Sequence, residues 1–330
     1  MRTVWLSGMT VLCLLVTVEA TAAVPPAVLG LDMRDPRCTV QAASLEEGKL
    51  QSAGEVRGLT HQLAIMAKFQ KFMDSRKWKP NMPIGDQMTP SQANEFGNLQ
   101  EQTKIGVMAM ILEAHRGRDI RVFARMAEMA KRMRAEYLPP ADEKNEEFSL
   151  AAFLMVGREK FQLSDDAEVD AMAMSQGKCT LQNALIAEAK RILDSIDTIP
   201  GVHNASADMT GLGQKYGSPI DRTKLDDTEK ILYDRTTAAM DTAIQRQTYF
   251  KDLLFIARLE DVSKIQQDAR RKSQYEALGD NNHINVVWNE WVKEGKITKE
   301  QNELSRILNY INEKFPTDLM KSLPDKKVVK

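Results

Sequence analysis

"TPSQANEFGNLQEQTKIGVMAMILEAHRGRDIRVFARMAEMAKRMRAEYLPP" spans Thr89–Pro140. Thr89 is placed to cap a helix, Pro90 suits the first helical position, and Gln92 stands where a capping box wants Glu or Gln. Pro139 and Pro140 cannot continue a helix. Between these signals Val122, Met126, Met129 and Met133 recur at helical spacing. The stretch therefore predicts one long amphipathic helix, with Gly117 in "HRGRD" expected to bend or break it.

The same grammar extends both ways. Upstream, Leu59, Leu63, Met66, Gln70 and Met73 step by four and three, and the segment ends near "WKPNMPIG". Downstream of the acidic "ADEKNEE" a shorter helix is expected over Phe148–Phe161. Ser164 or Asp165 then starts another, whose stripe runs through Val169, Met172, Gln176, Cys179, Asn183, Ile186 and Leu193 to end near Pro200. A third long helix is expected over Asp227–Leu278, with Gly279 as its stop. Its apolar face runs through Leu253, Leu254 and Ala257 but thins after Ile265. Such a polar helix end either projects into solvent or meets a partner.

Two small helices follow. One carries Val287, Trp288, Trp291 and Val292. The other opens with the capping box "TKEQ" (Thr298–Gln301) and carries Leu304, Leu308, Ile311 and Phe315. Residues 323–330 read as a disordered tail. The stretch 200–221, "PGVHNASADMTGLGQKYGSPID", holds four glycines and two prolines and is expected to be a loop, not a helix. Its glycines follow no strand and make no dinucleotide fingerprint, and Asn204 fits a glycosylation acceptor. The fold class is all-α, an elongated bundle of long amphipathic helices with two weakly related halves. The organisation is a signal peptide (1–23), an N-terminal helical segment (24–140), middle helices (141–199), the glycine-rich loop (200–221), a C-terminal helical segment (222–322) and the tail.

Composition agrees. Gly (17) and Pro (12) are sparse and Met (18) is plentiful among 330 residues, which suits helices better than a β-sandwich. A net charge of −1 offers no whole-molecule field for nucleic acid or anionic lipid. The first residues have one basic residue, Arg2, an apolar run from Val4 to Val18, and small residues at Ala20, Ala22 and Ala23. That is a secretory signal with its cleavage site, too short to span a bilayer. The chain is expected to be exported to the periplasm or beyond, with no membrane span after cleavage.

Cys38 and Cys179 are the two cysteines outside that leader. They open "CTVQAASLEEGK" and "CTLQNALIAEAK", which match at six of twelve positions. Their even number and the oxidising compartment point to a disulfide. The alternative is that Cys179 is a small buried residue on its helix's stripe, and an old duplication is the weaker explanation of the repeat. The two cysteines and His61, His115, His203 and His283 form no metal-ligand spacing, and no cofactor is expected. Methionine clusters at Met108–Met110, Met172–Met174 and Met126/Met129/Met133 could in principle serve Cu(I), though core packing accounts for them.

No catalytic motif stands out. The general plan looks like that of helical periplasmic parts of secretion or conjugation machines, including minor pilus subunits of type IV systems. That likeness is architectural and rests on no diagnostic residue. The expectation is a non-enzymatic structural or adaptor protein of the bacterial envelope, with envelope proteins as partners and Trp288, Trp291 and Tyr275 as interface residues. A peptidoglycan hydrolase using an unassigned carboxylate pair is the alternative, and a Cu(I)-binding protein a third.

Overall fold

The computed structural model describes residues 28–79, 82–134, 177–277 and 283–314. The signal peptide, the helix expected over 148–161, the "SDDAE" helix start, Phe315 and the tail lie outside the described residues. The described residues form seven α-helices: α1 (Val40–Asp74), α2 (Pro90–Arg134), α3 (Leu181–Asp194), α4 (Val202–Tyr216), α5 (Asp227–Ala277), α6 (His283–Lys293) and α7 (Lys299–Lys314). Among the described residues there is no strand, only an isolated antiparallel bridge between Asp32 and Lys178. The class is all-α.

The spine is α5, whose 51 residues extend about 76 Å. Near its start α4 is pinned by Lys215 and Tyr216, which both donate to Glu229. Along its middle lie α2 and α3, and its C-terminal part packs on α6 and α7. The main core forms at that middle, where Tyr249, Phe250, Leu253, Phe255, Ile256 and Leu259 of α5 meet α2 and α3. Met126 and Met129 of α2 are fully buried there, so these members of the methionine cluster pack in the core.

Both capping boxes close reciprocally. Thr89 N–H donates to Gln92 Oε1 (2.9 Å) while Gln92 N–H donates to Thr89 Oγ1 (3.3 Å). Thr298 and Gln301 do the same at 2.9 and 3.1 Å. Each box satisfies two of the amides a helix start leaves unpaired.

Three expectations are corrected. First, α2 runs unbroken through Gly117. A Cβ there would stand 3.2 Å from Glu55 Oε1 and 3.3 Å from Gln51 Cγ, so this glycine lets α1 lie close against α2. Second, residues 200–221 contain α4. Gly201 (φ 83°) and Gly217 (φ 86°) use their left-handed freedom at its two ends, and the prolines fall outside it. Gly211 and Gly213 cost helix propensity, about 1 kcal/mol each, but Ala205 and Leu212 are buried and the packing prevails. Third, no helix runs through Cys179. Lys178 is in the bridge to Asp32, and α3 begins at Leu181.

Cys38 and Cys179 are disulfide-bonded, with Cα atoms 5.7 Å apart and both residues buried. The threonine after each is a helix cap: Thr39 Oγ1 accepts from Ala42 N–H, and Thr180 Oγ1 from Asn183 N–H. The repeated Cys-Thr-apolar-Gln is thus one helix-start chemistry used on both sides of one bridge. Flanking it, Met33 N–H donates to Gly177 O and Cys179 N–H to Leu31 O.

Next to the bridge lies a buried charge cluster. Arg116 of α2 donates to both carboxylate oxygens of fully buried Glu260 on α5 (2.7 and 2.5 Å) and to Glu47 Oε2 on α1 (2.8 Å). The other oxygen of Glu47 accepts Leu181 N–H at 2.6 Å, at the start of α3. Burial pulls the Arg116 pKa down, but hydrogen bonding and charge from Glu260, with Glu47 and Asp119, outweigh it and hold the guanidinium above its ordinary range. Four helices meet through one cation. Such a cluster adds little net stability over an apolar replacement, yet it fixes which helix faces meet.

Candidate protein-contact sites

Trp288, Trp291 and Tyr275, the expected interface residues, lie in or near the contact of α5 with α6 and α7. Val287 anchors α6, fully buried. Trp288 is half-buried against the main core, and its indole N–H donates to Asn302 Oδ1 at 2.9 Å. It also lines a cleft of about 440 Å³ together with Arg270, Asn285, Asn289, Arg306 and Asn309. Trp291 is half-buried, with Lys272 Nζ 5.9 Å from its ring centroid. Tyr275 falls in the last turns of α5, and its side chain lies outside the described residues. The structure thus gives Trp288 two roles, as a packing residue and as a cleft wall.

The polar end of α5 is partnered within its own chain. Ala269 and Ser273 are buried, and the Gln266 amide donates to Asn309 Oδ1 (3.2 Å) and Ser305 O (3.4 Å) of α7. The thinning apolar face is therefore a polar helix–helix contact. Beneath it sit His115, Arg118, Asp119 and Arg270. Asp119 accepts from Ser263 Oγ at 2.6 Å. Burial lowers the His115 pKa, the charges of Arg270 and Arg118 lower it further, and Asp119 opposes them. The Nδ1 atom of His115 is buried, with no hydrogen-bond partner among the described residues. Burial also lowers Arg270. The cleft above is rich in amide and guanidinium donors, chemistry that suits carbonyl and carboxylate oxygens of a peptide.

A second groove, of about 610 Å³, opens at the first turn of α1. Glu128, Lys131, Glu188 and Tyr249 line it, and Tyr249 donates to Glu188 Oε1 at 2.7 Å. Glu188 is the residue that matches Glu47 in the repeated window. Glu47 accepts the first amide of α3, while Glu188 lines the groove beside the start of α1, so the matched glutamates stand at equivalent places near each other's helix starts. The repeat carried that signal, although neither glutamate was singled out from it.

The third feature is an open apolar face. Leu59, Leu63 and Met66, read as an amphipathic stripe, stand exposed on α1, as do Leu45 and Val56. The face that α1 buries is a different one, carrying Gln62, Ile65 and Phe72. On α2, Ile105, Val107 and Ile111 are exposed as well.

No family model, curated protein or solved structure matches the chain. Among the described residues no helix is long and apolar enough to cross a membrane, and no group of three or more His, Cys, Asp or Glu side chains could hold a metal ion.

Proposed function

We propose that this chain is an exported structural or adaptor protein of the bacterial envelope that acts by binding other proteins, as a periplasmic part of a secretion or conjugation apparatus would. One observation carries the reading: the α1–α2 hairpin holds a row of large apolar side chains in solvent, with Val56 64% and Leu63 57% exposed. Exposed apolar groups in a contiguous row mark interaction surfaces. The leader-like first residues and the disulfide agree with export.

The test is photo-crosslinking in cells of the tagged mature protein. A crosslinking residue would replace Leu63, Asn289 beside Trp288, or, as a control, exposed Asp268. Specific capture of an envelope protein at Leu63 or Asn289 and not at Asp268 is the expected result. Recovery of the chain alone from every position would overturn the reading.

A second reading, a peptidoglycan hydrolase, is favoured by one feature, the groove that holds the carboxylates of Glu128 and Glu188. Zymography decides it. A cleared band that disappears in Glu188→Gln would establish the hydrolase, and no clearing would dismiss it.

A further inference from the structure

The exposed residues of α1 follow a coiled-coil seam. Val56, Leu59, Leu63 and Met66 are spaced three, four and three, and the row continues to Gln70 and Met73 and back through Ser52 to Leu45. Heptad spacing of this kind is what one helix presents to another, knobs into holes. The seam of an ordinary antiparallel hairpin faces its own partner helix. Here α1 meets α2 through another face, at Gly54, Gly58 and Gln62, opposite Glu113, Met110 and Gly106 respectively. The heptad seam is left over.

Helix phase shows what lies beside it. With α1 and α2 antiparallel and those three pairs in register, Val107 and Ile111 of α2 fall on the same side of the hairpin as Val56, Leu59 and Leu63. The opposite side of α2 carries Arg116 and Phe123 toward α5. That packing on the body begins near Leu112; alongside the seam both sides of the hairpin are open, Leu50 and Ile105 being exposed on the far side, and the seam side holds the longer apolar row, built by both helices.

Size and charge identify the occupant. Leu45 to Met66 covers about 32 Å, and two helices are about 20 Å wide. That is roughly 640 Å² per copy, or about 1,300 Å² for a pair, inside the range of specific dimers. Between Ser52 and Gln70 the seam holds no charged residue, so a second identical seam meets no repulsion. The charges at its ends are opposite: Lys49 at one and Asp74 at the other, both exposed. An antiparallel two-fold pairing centred at His61 sets Val56 against Met66 and Leu59 against Leu63, and brings Lys49 to the Met73–Asp74 end of its partner. A parallel pairing would set Lys49 against Lys49. We infer that the seam side of the α1–α2 hairpin pairs with a second copy of this chain, two hairpins closing antiparallel about a two-fold axis into a four-helix bundle. This rests on the reading of the chain as one that works through protein contacts, and it names the partner for this face.

Sedimentation equilibrium of the oxidised mature protein, from about 1 to 100 µM, tests it directly. The expected species is a dimer. Leu59→Glu plus Leu63→Glu should raise the dissociation constant about a hundredfold or more with helical circular dichroism unchanged, because both side chains are exposed in the single chain. Cysteine crosslinking reads the geometry. Thr60→Cys beside the axis should crosslink to itself, and Lys49→Cys should crosslink to Asp74→Cys in a mixture but not to itself. The native cysteines are buried and bonded to each other, so they do not interfere. A monomer at every concentration, a dimer untouched by the double substitution, or self-crosslinking at Lys49→Cys would each overturn the proposal. A monomer whose Leu63 position captures a different envelope protein would overturn self-pairing and leave the contact reading standing. A monomer that captures nothing would overturn both.

Discussion

Helix α1 passes through two environments. At its start Val40 and Ala43 join the main core, beside the disulfide and the Arg116 cluster. Some four turns on, Leu59 and Leu63 stand in solvent although they follow a cleaner apolar period. Periodicity tells which residues share a face. It does not tell whether the chain itself covers that face. In the clamped centre the covering is covalent and ionic as well as apolar, whereas along the outer hairpin only one side of each helix is used.

The sharpest way to break this comparison is to open the clamp. Arg116→Met leaves Glu47 without its cation and buried Glu260 with only Lys264, 3.4 Å away, and should cost about 3–5 kcal/mol in chemical denaturation. Adding Glu260→Leu should recover much of that, since the buried charge then disappears as well. Reduction of the bridge, or Cys38→Ala with Cys179→Ala, should cost about 2–5 kcal/mol, read as a lower melting temperature. A paired substitution compares the two regions directly. Leu253→Ala in the core should lose about 2–5 kcal/mol. Leu63→Ala, measured at a dilution where the chain is monomeric, should stay within about 0.5 kcal/mol. If the two losses were equal, the hairpin face would be core after all.

Smaller effects refine the picture. Thr180→Ala removes the cap of α3 and should cost about 1 kcal/mol, recovered by Thr180→Ser. His115 gives a pH signature. Its pKa lies below the ordinary 6.5 because of burial and two arginines. As pH falls through 6.5 the unfolded chain takes up a proton that the folded one resists, so stability declines there. His115→Gln should flatten the melting temperature between pH 7 and pH 5. An unchanged slope would show that another group is responsible.

Parts of this molecule were legible in the sequence because they are local. The boxes at Thr89–Gln92 and Thr298–Gln301 need only four residues each, and both formed as read. The disulfide was expected from the even number of cysteines and the export read from the leader-like first residues. The fate of α4 was not legible, because its glycines argue against a helix while the packing of Ala205 and Leu212 that prevails belongs to the tertiary structure. Arg116, Glu47 and Glu260 come from three distant stretches, so no spacing could join them. On α1, buried Gln62 neighbours exposed Leu63. That inversion of polarity is set by the approach of Gly106 on α2, and residue type alone points the other way.

The bridge has a mechanical meaning too. It joins positions 141 apart, so the entire α1–α2 hairpin belongs to a closed covalent ring. A pull applied at the residues before Cys38 and at the end of α7 is carried across the sulfur atoms and bypasses that ring. The hairpin can be held, bent or occupied without bearing the tension of the chain, and the load falls instead on the body that α5 organises.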